Sequence, residues 1–290
     1  MRQNRQHKKP FPVVPALAAA AVLTGVVLGV SALTGPKEPA DVTAQGIAYL
    51  ESLEARDPAA VDQVLRQRRL EELENQRAEL LRQVKADETD PFTLFQDAVI
   101  LGDSRSVGFF YYGFVDDSRD LTGTGDTILN LSGKLDALQS LNPRYIYLCY
   151  GLNDLKIGHW ASVDAHIASY IDRIDQIRRL LPDSVVVVSS VLPYVDHSLE
   201  DPTAAKPVNK LTETEVARLG NIAQWNTAMA AACQEHGLIF VNNDAICSEH
   251  LDLWEPDGIH VKKSFYPYWG KNLVIAALEE GGIADEDPAA

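Results

Sequence analysis

The chain opens on polar and basic residues through Lys9 and then carries no charge from Val13 to Leu33. As a helix rising 1.5 Å per residue this stretch is about 31 Å long, close to the hydrocarbon thickness of a bilayer. Arg2, Arg5, Lys8 and Lys9 precede it, and a positive flank stays on the cytoplasmic side. The pattern predicts a basic cytoplasmic tail over 1–10, a transmembrane helix over 11–34, and everything later outside the cytoplasm. Val30-Ser31-Ala32 also fits the small-residue site of a cleaved signal peptide, which would release a secreted protein. The uncharged run exceeds the usual signal core of about 7 to 15 residues, which favours a retained anchor.

Gly35-Pro36-Lys37-Glu38-Pro39 then breaks the helix. Helical patterns follow over 41–56 and 58–86, the second opened by Asp57 ahead of Pro58. Leu70, Leu73, Leu80 and Val84 fall on one face of it, with Arg77 interrupting. Residues 35–91 read as a helical stalk with a solvated charged face; a dimeric coiled coil would need more unbroken heptads. Asp90-Pro91 marks its end.

Strand and helix patterns alternate beyond that point: strands over 98–101, 145–150, 185–191 and 238–241, helices over 163–181, 215–236 and 264–280. The valine run 185–188 is apolar at every position, which suits a strand covered on both faces. The expected fold is a three-layer α/β/α sandwich with a mostly parallel sheet over 92–283, followed by an acidic tail over 284–290. Residues 194–214 interrupt the alternation with polar and turn-forming residues. They leave the strand 185–191 at its carboxyl end, so they read either as a lid or substrate wall or as a surface excursion.

The chain's net charge is −15, although its first 34 residues hold four basic side chains and no acid. So acidic a body excludes nucleic acid as a partner, because phosphate binding needs clustered Lys and Arg. Cys149, Cys233 and Cys247 show no metal-ligand spacing, and no run of His, Asp and Glu spells a zinc site. No metal and no cofactor is implied. His159, His166, His197, His236 and His250 read as surface or helix-end residues.

The candidate chemistry lies in four short blocks. Val99-Ile100-Leu101-Gly102-Asp103-Ser104 ends an apolar strand in a hydroxyl, at the edge where open α/β sheets hold ligands. Asp257-Gly258-Ile259-His260 supplies a base for that hydroxyl and a carboxylate three residues earlier to orient it. Gly151-Leu152-Asn153-Asp154 follows the strand 145–150 and brings the Asn153 amide to the same edge. Gly123-Thr124-Gly125-Asp126 offers a backbone N–H, from Gly125 or from the nearby Gly123, that can approach a substrate oxygen closely. The N–H of Ser104, the N–H of Gly125 and the Asn153 amide would form a three-donor oxyanion hole.

With these blocks in this order the last two thirds of the chain resembles the SGNH or GDSL hydrolases. The resemblance implies a flavodoxin-like SGNH hydrolase fold with Ser104 as nucleophile, His260 as general base and Asp257 orienting it. It also implies Gly125 and Asn153 as oxyanion donors. The chain departs from many members at Arg105, where Leu or Ile is commoner after the serine. That guanidinium either faces an anionic substrate or packs on an acidic neighbour. Tyr111, Tyr112 and Trp254 flank the blocks and are candidate sugar contacts, with core packing as the alternative for each.

The combined expectation is a membrane-anchored, extracytoplasmic serine esterase. It would remove a small acyl group, acetyl foremost, from an acylated carbohydrate or cell-envelope glycan. An O-acyltransferase would use the same residues, and a non-catalytic envelope-binding scaffold is the alternative of a different class. Oligomeric state has no signature in the chain.

Overall fold

The computed structural model of the protein describes residues 39–54, 57–196 and 204–281. The basic tail, the uncharged stretch and the acidic tail lie outside the described residues. No helix among the described residues is long and apolar enough to cross a membrane. The chain divides into two compact units, one through Arg68 and one from Arg69. In the first, helix α1 (Pro39–Glu54) and the opening turns of α2 (Pro58–Lys85) leave Ile47, Tyr49, Leu50, Val64 and Leu65 exposed.

The second unit is built on four parallel strands: β1 (Ala98–Gly102), β2 (Tyr145–Cys149), β3 (Val185–Ser189) and β6 (Ile239–Val241). Their spatial order is β1-β2-β3-β6. A separate antiparallel ribbon pairs β4 (Tyr194–Asp196) with β5 (Lys206–Val208). Side chains alternate across a strand, so Val99, Leu101, Ile146, Leu148, Val186 and Val188 enter one core while Ala98, Ile100, Tyr145, Tyr147 and Val187 enter the other. Helices cover both faces, as the unbroken apolar runs require.

On the first face lie α5 (Val163–Leu180) and α7 (Ile222–Glu235). The apolar residues of α5 recur at helical spacing, so Tyr170, Ile174 and Ile177 are all fully buried. Each such side chain contributes roughly 1.5–3 kcal/mol by leaving water. On the second face α9 (Tyr266–Glu280) buries Trp269, Leu273, Val274 and Ala277. Phe95, Phe109 and Val84 complete that core. The result is the three-layer sandwich with a parallel sheet.

Ile100 also forms a parallel bridge with Asp120 on the side of β1 away from β2. The Leu121 N–H donates to the Ile100 carbonyl (2.9 Å) and the Gly123 N–H to that of Gly102 (3.0 Å). The chain thus leaves β1 to one side and returns to β2 on the other. The carboxyl ends of β1 and β2 flank a topological switch point, where α/β sheets open a crevice.

The structure corrects the sequence reading in three places. The helix expected over 215–236 is two, α6 (Glu213–Leu219) and α7, separated at Gly220; Thr212 with Glu215 and Asn221 with Gln224 form a capping box at each start. The excursion over 194–214 contains the β4–β5 ribbon, whose Val195 N–H donates to the Gly258 carbonyl (2.9 Å). The stalk expected up to residue 91 joins the compact unit from Arg69 onward.

Leu80, Leu81 and Val84 pack into the second core. Arg77 is no interruption, because its Nη1 donates to the carbonyls of Leu278 (2.9 Å) and Gly281 (2.8 Å). A cation is favoured there, where the last carbonyls of α9 have no helical partner. Lys85 pairs with Glu279 beside it. Gly281 abuts Val185, the first residue of β3, so this junction lies at the amino edge of the sheet.

Candidate active site

Past Gly102 the backbone turns sharply: Ser106 bonds the Asp103 carbonyl through its N–H (3.0 Å) and its hydroxyl (2.8 Å). Asp103 Oδ1 accepts the Arg105 N–H (3.0 Å). Ser104 is left half-buried at the carboxyl edge of the sheet while Asp103 and Ser106 are buried beneath it. Burial pushes the Asp103 carboxyl up to about 6, against the pull of the Arg105 guanidinium and of the Arg105 and Leu152 N–H groups. The Leu152 bond fastens the serine turn to the turn that follows β2.

The loop after Trp254 closes on itself, with Glu255 N–H donating to the His260 carbonyl (2.8 Å) and Gly258 N–H to that of Glu255 (2.8 Å). Gly258 has φ +63°, and a Cβ there would collide with the Val195 carbonyl, so only glycine fits. Asp257 Oδ1 accepts the N–H groups of Ile259 (2.8 Å) and His260 (2.9 Å). Its Oδ2 lies 2.6 Å from His260 Nδ1, and His260 Nε2 lies 3.0 Å from Ser104 Oγ. With Nδ1–H given to the carboxylate, Nε2 accepts the serine hydroxyl. Partial burial pushes the Asp257 carboxyl up, but the bonds from the His260 ring and the two N–H groups outweigh it and hold it below the usual range. The His260 and Asp257 side chains are 44% and 46% exposed, so the cleft is open to solvent and to substrate.

The remaining blocks lie at the same carboxyl edge, Asn153 in the turn after β2 and Gly125 in the loop that leaves the outer side of β1. Asn153 is half-buried and donates one Nδ2 hydrogen to the Asp126 carbonyl (2.9 Å), which leaves its second amide hydrogen. Gly123 spends its N–H on the Gly102 carbonyl, whereas the Gly125 N–H meets no acceptor among the described residues. Gly125 has φ +83° and no atom within 4 Å of a Cβ position, so open space lies beside it. Lys134 fixes the loop, bonding the Asp126 carboxylate and the Leu121 carbonyl. The arrangement offers a hydroxyl with an adjoining base and, across the crevice, N–H groups suited to an oxyanion.

Residues 100–266, more than half of the chain, match the GDSL-like lipase/acylhydrolase family. The chain belongs to this family. No curated protein matches it. Among solved structures, a GDSL-like lipase from Bacteroides thetaiotaomicron is 17% identical with a TM-score of 0.45, over 68% of this chain and 96% of that one. A carbohydrate esterase of family 3 from Talaromyces cellulolyticus is 16% identical with a TM-score of 0.41, over 62% of this chain and 92% of that one.

Within this GDSL-like hydrolase the expected substrate contacts are placed differently from one another. Arg105 is buried: its Nη1 bonds the Leu192 carbonyl, and its guanidinium lies 5.4 Å from the Tyr194 ring centre. Trp254 is fully buried, with Nε1 donating to the Pro193 carbonyl (3.2 Å) and its ring edge-on to Phe265. Both side chains are enclosed by protein, where a substrate does not reach. Tyr112 is half-buried against Tyr266 (5.4 Å between ring centres), and Tyr111, set edge-on to it at 5.1 Å, is 75% exposed. His166 reverses the surface reading of that residue: it is fully buried, bonded to Asp154 and Trp225. Its place on the apolar face of α5, four residues before Tyr170, was the available signal.

Proposed function

We propose that the protein is a serine esterase that removes a small acyl group, acetyl foremost, from an acylated carbohydrate of the cell envelope. The observation that carries the reading is the chain of contacts Ser104 Oγ, His260 Nε2 and Nδ1, Asp257 Oδ2 at 3.0 and 2.6 Å. Ser104 attacks the ester carbonyl as His260 takes its proton, and Asp257 stabilises the imidazolium. The Ser104 and Gly125 N–H groups and the free Asn153 amide hydrogen hold the oxyanion. Collapse expels the alcohol, protonated by His260. Water, deprotonated in turn by His260, then releases the acid and restores the serine.

The sugar part of the reading rests on the exposed Tyr111 and its neighbour Tyr112, which follow the serine turn within eight residues. Flat aromatic faces with a polar edge suit a ring that is apolar on its faces and polar at its rim. Location outside the cytoplasm, held by the uncharged stretch over 13–33, rests on its length and its basic flank.

The test is hydrolysis of a series of p-nitrophenyl esters from acetyl to octanoyl, beside acetate release from acetylated glycan. Ser104→Ala and His260→Ala each remove nearly all activity, and the double variant is little worse, because members of such a unit are not additive. Activity of Ser104→Ala near that of the parent overturns the serine mechanism; a preference for octanoyl overturns the small acyl group.

A further inference from the structure

One buried polar chain stands outside the triad. His166 Nδ1 lies 2.8 Å from Trp225 Nε1, and His166 Nε2 lies 3.2 Å from Asp154 Oδ1. All three side chains have no solvent exposure. An indole N–H only donates, so His166 Nδ1 must be the acceptor and the proton of this imidazole sits on Nε2, aimed at Asp154. The imidazole is also clamped by Trp160, 4.1 Å away between ring centres. Asp154 Oδ1 accepts a second bond, from the N–H of Ile128 (3.0 Å).

Those two residues are the anchor points of the oxyanion donors. Asp154 follows Asn153 directly, and Ile128 lies three residues beyond Gly125 on the loop whose Asp126 carbonyl holds the Asn153 amide (2.9 Å). A single carboxylate therefore spans the strand turn that carries one donor and the loop that carries the other. Two side chains from α5 and α7 set its position from behind. Resting on the esterase reading above, we infer that His166 and Trp225 are positioning residues. Through Asp154 they hold the Gly125 N–H and the Asn153 amide at the separation that the tetrahedral oxyanion requires.

A catalytic group displaced by about 1 Å can lose a hundredfold in rate. His166→Phe, which keeps a ring but removes both nitrogens, is expected to lower kcat about ten- to hundredfold while KM stays within about twofold, as for an interaction realised in the transition state. Affinity for phenylboronic acid, which forms a tetrahedral adduct on the serine, falls by the same factor. His166→Gln, which can donate to Asp154 and accept from Trp225, recovers part of the loss. Trp225→Phe, which removes the indole N–H together with part of the bicyclic ring, moves kcat in the same direction and keeps the test open if His166→Phe fails to fold.

The decisive comparison is the Asn153→Ala background, where His166→Phe is expected to cost clearly less than in the parent, since only the Gly125 donor remains to be displaced. An equal cost in both backgrounds, or a loss confined to KM, makes the role general packing and overturns the proposal. So does an unchanged kcat in His166→Phe when Ser104→Ala is inactive, which leaves the esterase reading standing. Retained activity in Ser104→Ala overturns both together.

Discussion

Arg105 directly follows Ser104 in the chain, yet its guanidinium is bonded to the Leu192 carbonyl, 87 residues further on. The Arg105 carbonyl in turn accepts the Tyr266 hydroxyl at 2.7 Å. The serine turn is thereby pinned between the segment that leaves β3 and the first turn of α9. Arg105→Leu leaves a buried carbonyl without its donor and is expected to cost about 2–4 kcal/mol of stability, with equal loss of turnover on neutral and anionic esters. Arg105→Lys does not restore it, because an ammonium cannot reproduce the planar fork. Urea unfolding and the ratio of kcat/KM for the two esters check this. A loss restricted to the anionic ester would show that Arg105 meets substrate after all.

Asn153→Ala removes the strap to Asp126 and, with it, one of the proposed oxyanion donors. The expected effect is a fall in kcat of about a hundred- to a thousandfold with KM little changed. Steady-state kinetics on an acetyl ester measures both, and a change in KM alone would assign Asn153 to ground-state binding.

Asp103 gives the stability a pH dependence of definite sign. Its carboxyl is pushed up to about 6 by burial, so between its unfolded value near 4 and about 6 the folded protein holds the proton more tightly than the unfolded chain does. Stability relative to Asp103→Asn therefore falls as pH rises through that window and is level above it, by about 3 kcal/mol in all. Paired urea titrations at pH 4.5, 6 and 7.5 read the difference. A difference that grows in favour of Asp103 as pH rises would contradict it.

A chain beginning at Arg69 is expected to fold and to keep esterase activity, whereas one beginning at Pro91 loses the Leu80, Leu81 and Val84 packing and the Arg77 bonds. Arg77→Ala alone is expected to cost about 1–3 kcal/mol, because two carbonyls at the end of α9 lose their donor. Thermal unfolding of the three proteins ranks them, and equal stability of the two shortened chains would place the unit boundary near residue 91.

The elements that could be read from the chain are those with a long or unbroken pattern. β1, β2, β3, α5 and α9 are continuous apolar runs or amphipathic helices, and the four blocks sit at their ends. The ribbon escaped because strands of three residues are too short to show a period, and the edge segment at Asp120 because it makes only isolated pairs. The split at Gly220-Asn221 was visible, since Asn followed three residues later by Gln is a helix start. So was His166, at the spacing of Tyr170 and Ile174. Arg105 and Trp254 were not: each is decided by a carbonyl of the Leu192-Pro193 segment, and distance along the chain hides such a partner.

The bonds of Arg77 to Leu278 and Gly281 also orient the molecule. They lie where β3 begins, whereas Ser104 and Asn153 lie where β1 and β2 end, so the chain enters this unit at the pole opposite the cleft. A label or support attached at that junction would therefore stand clear of the mouth of the cleft.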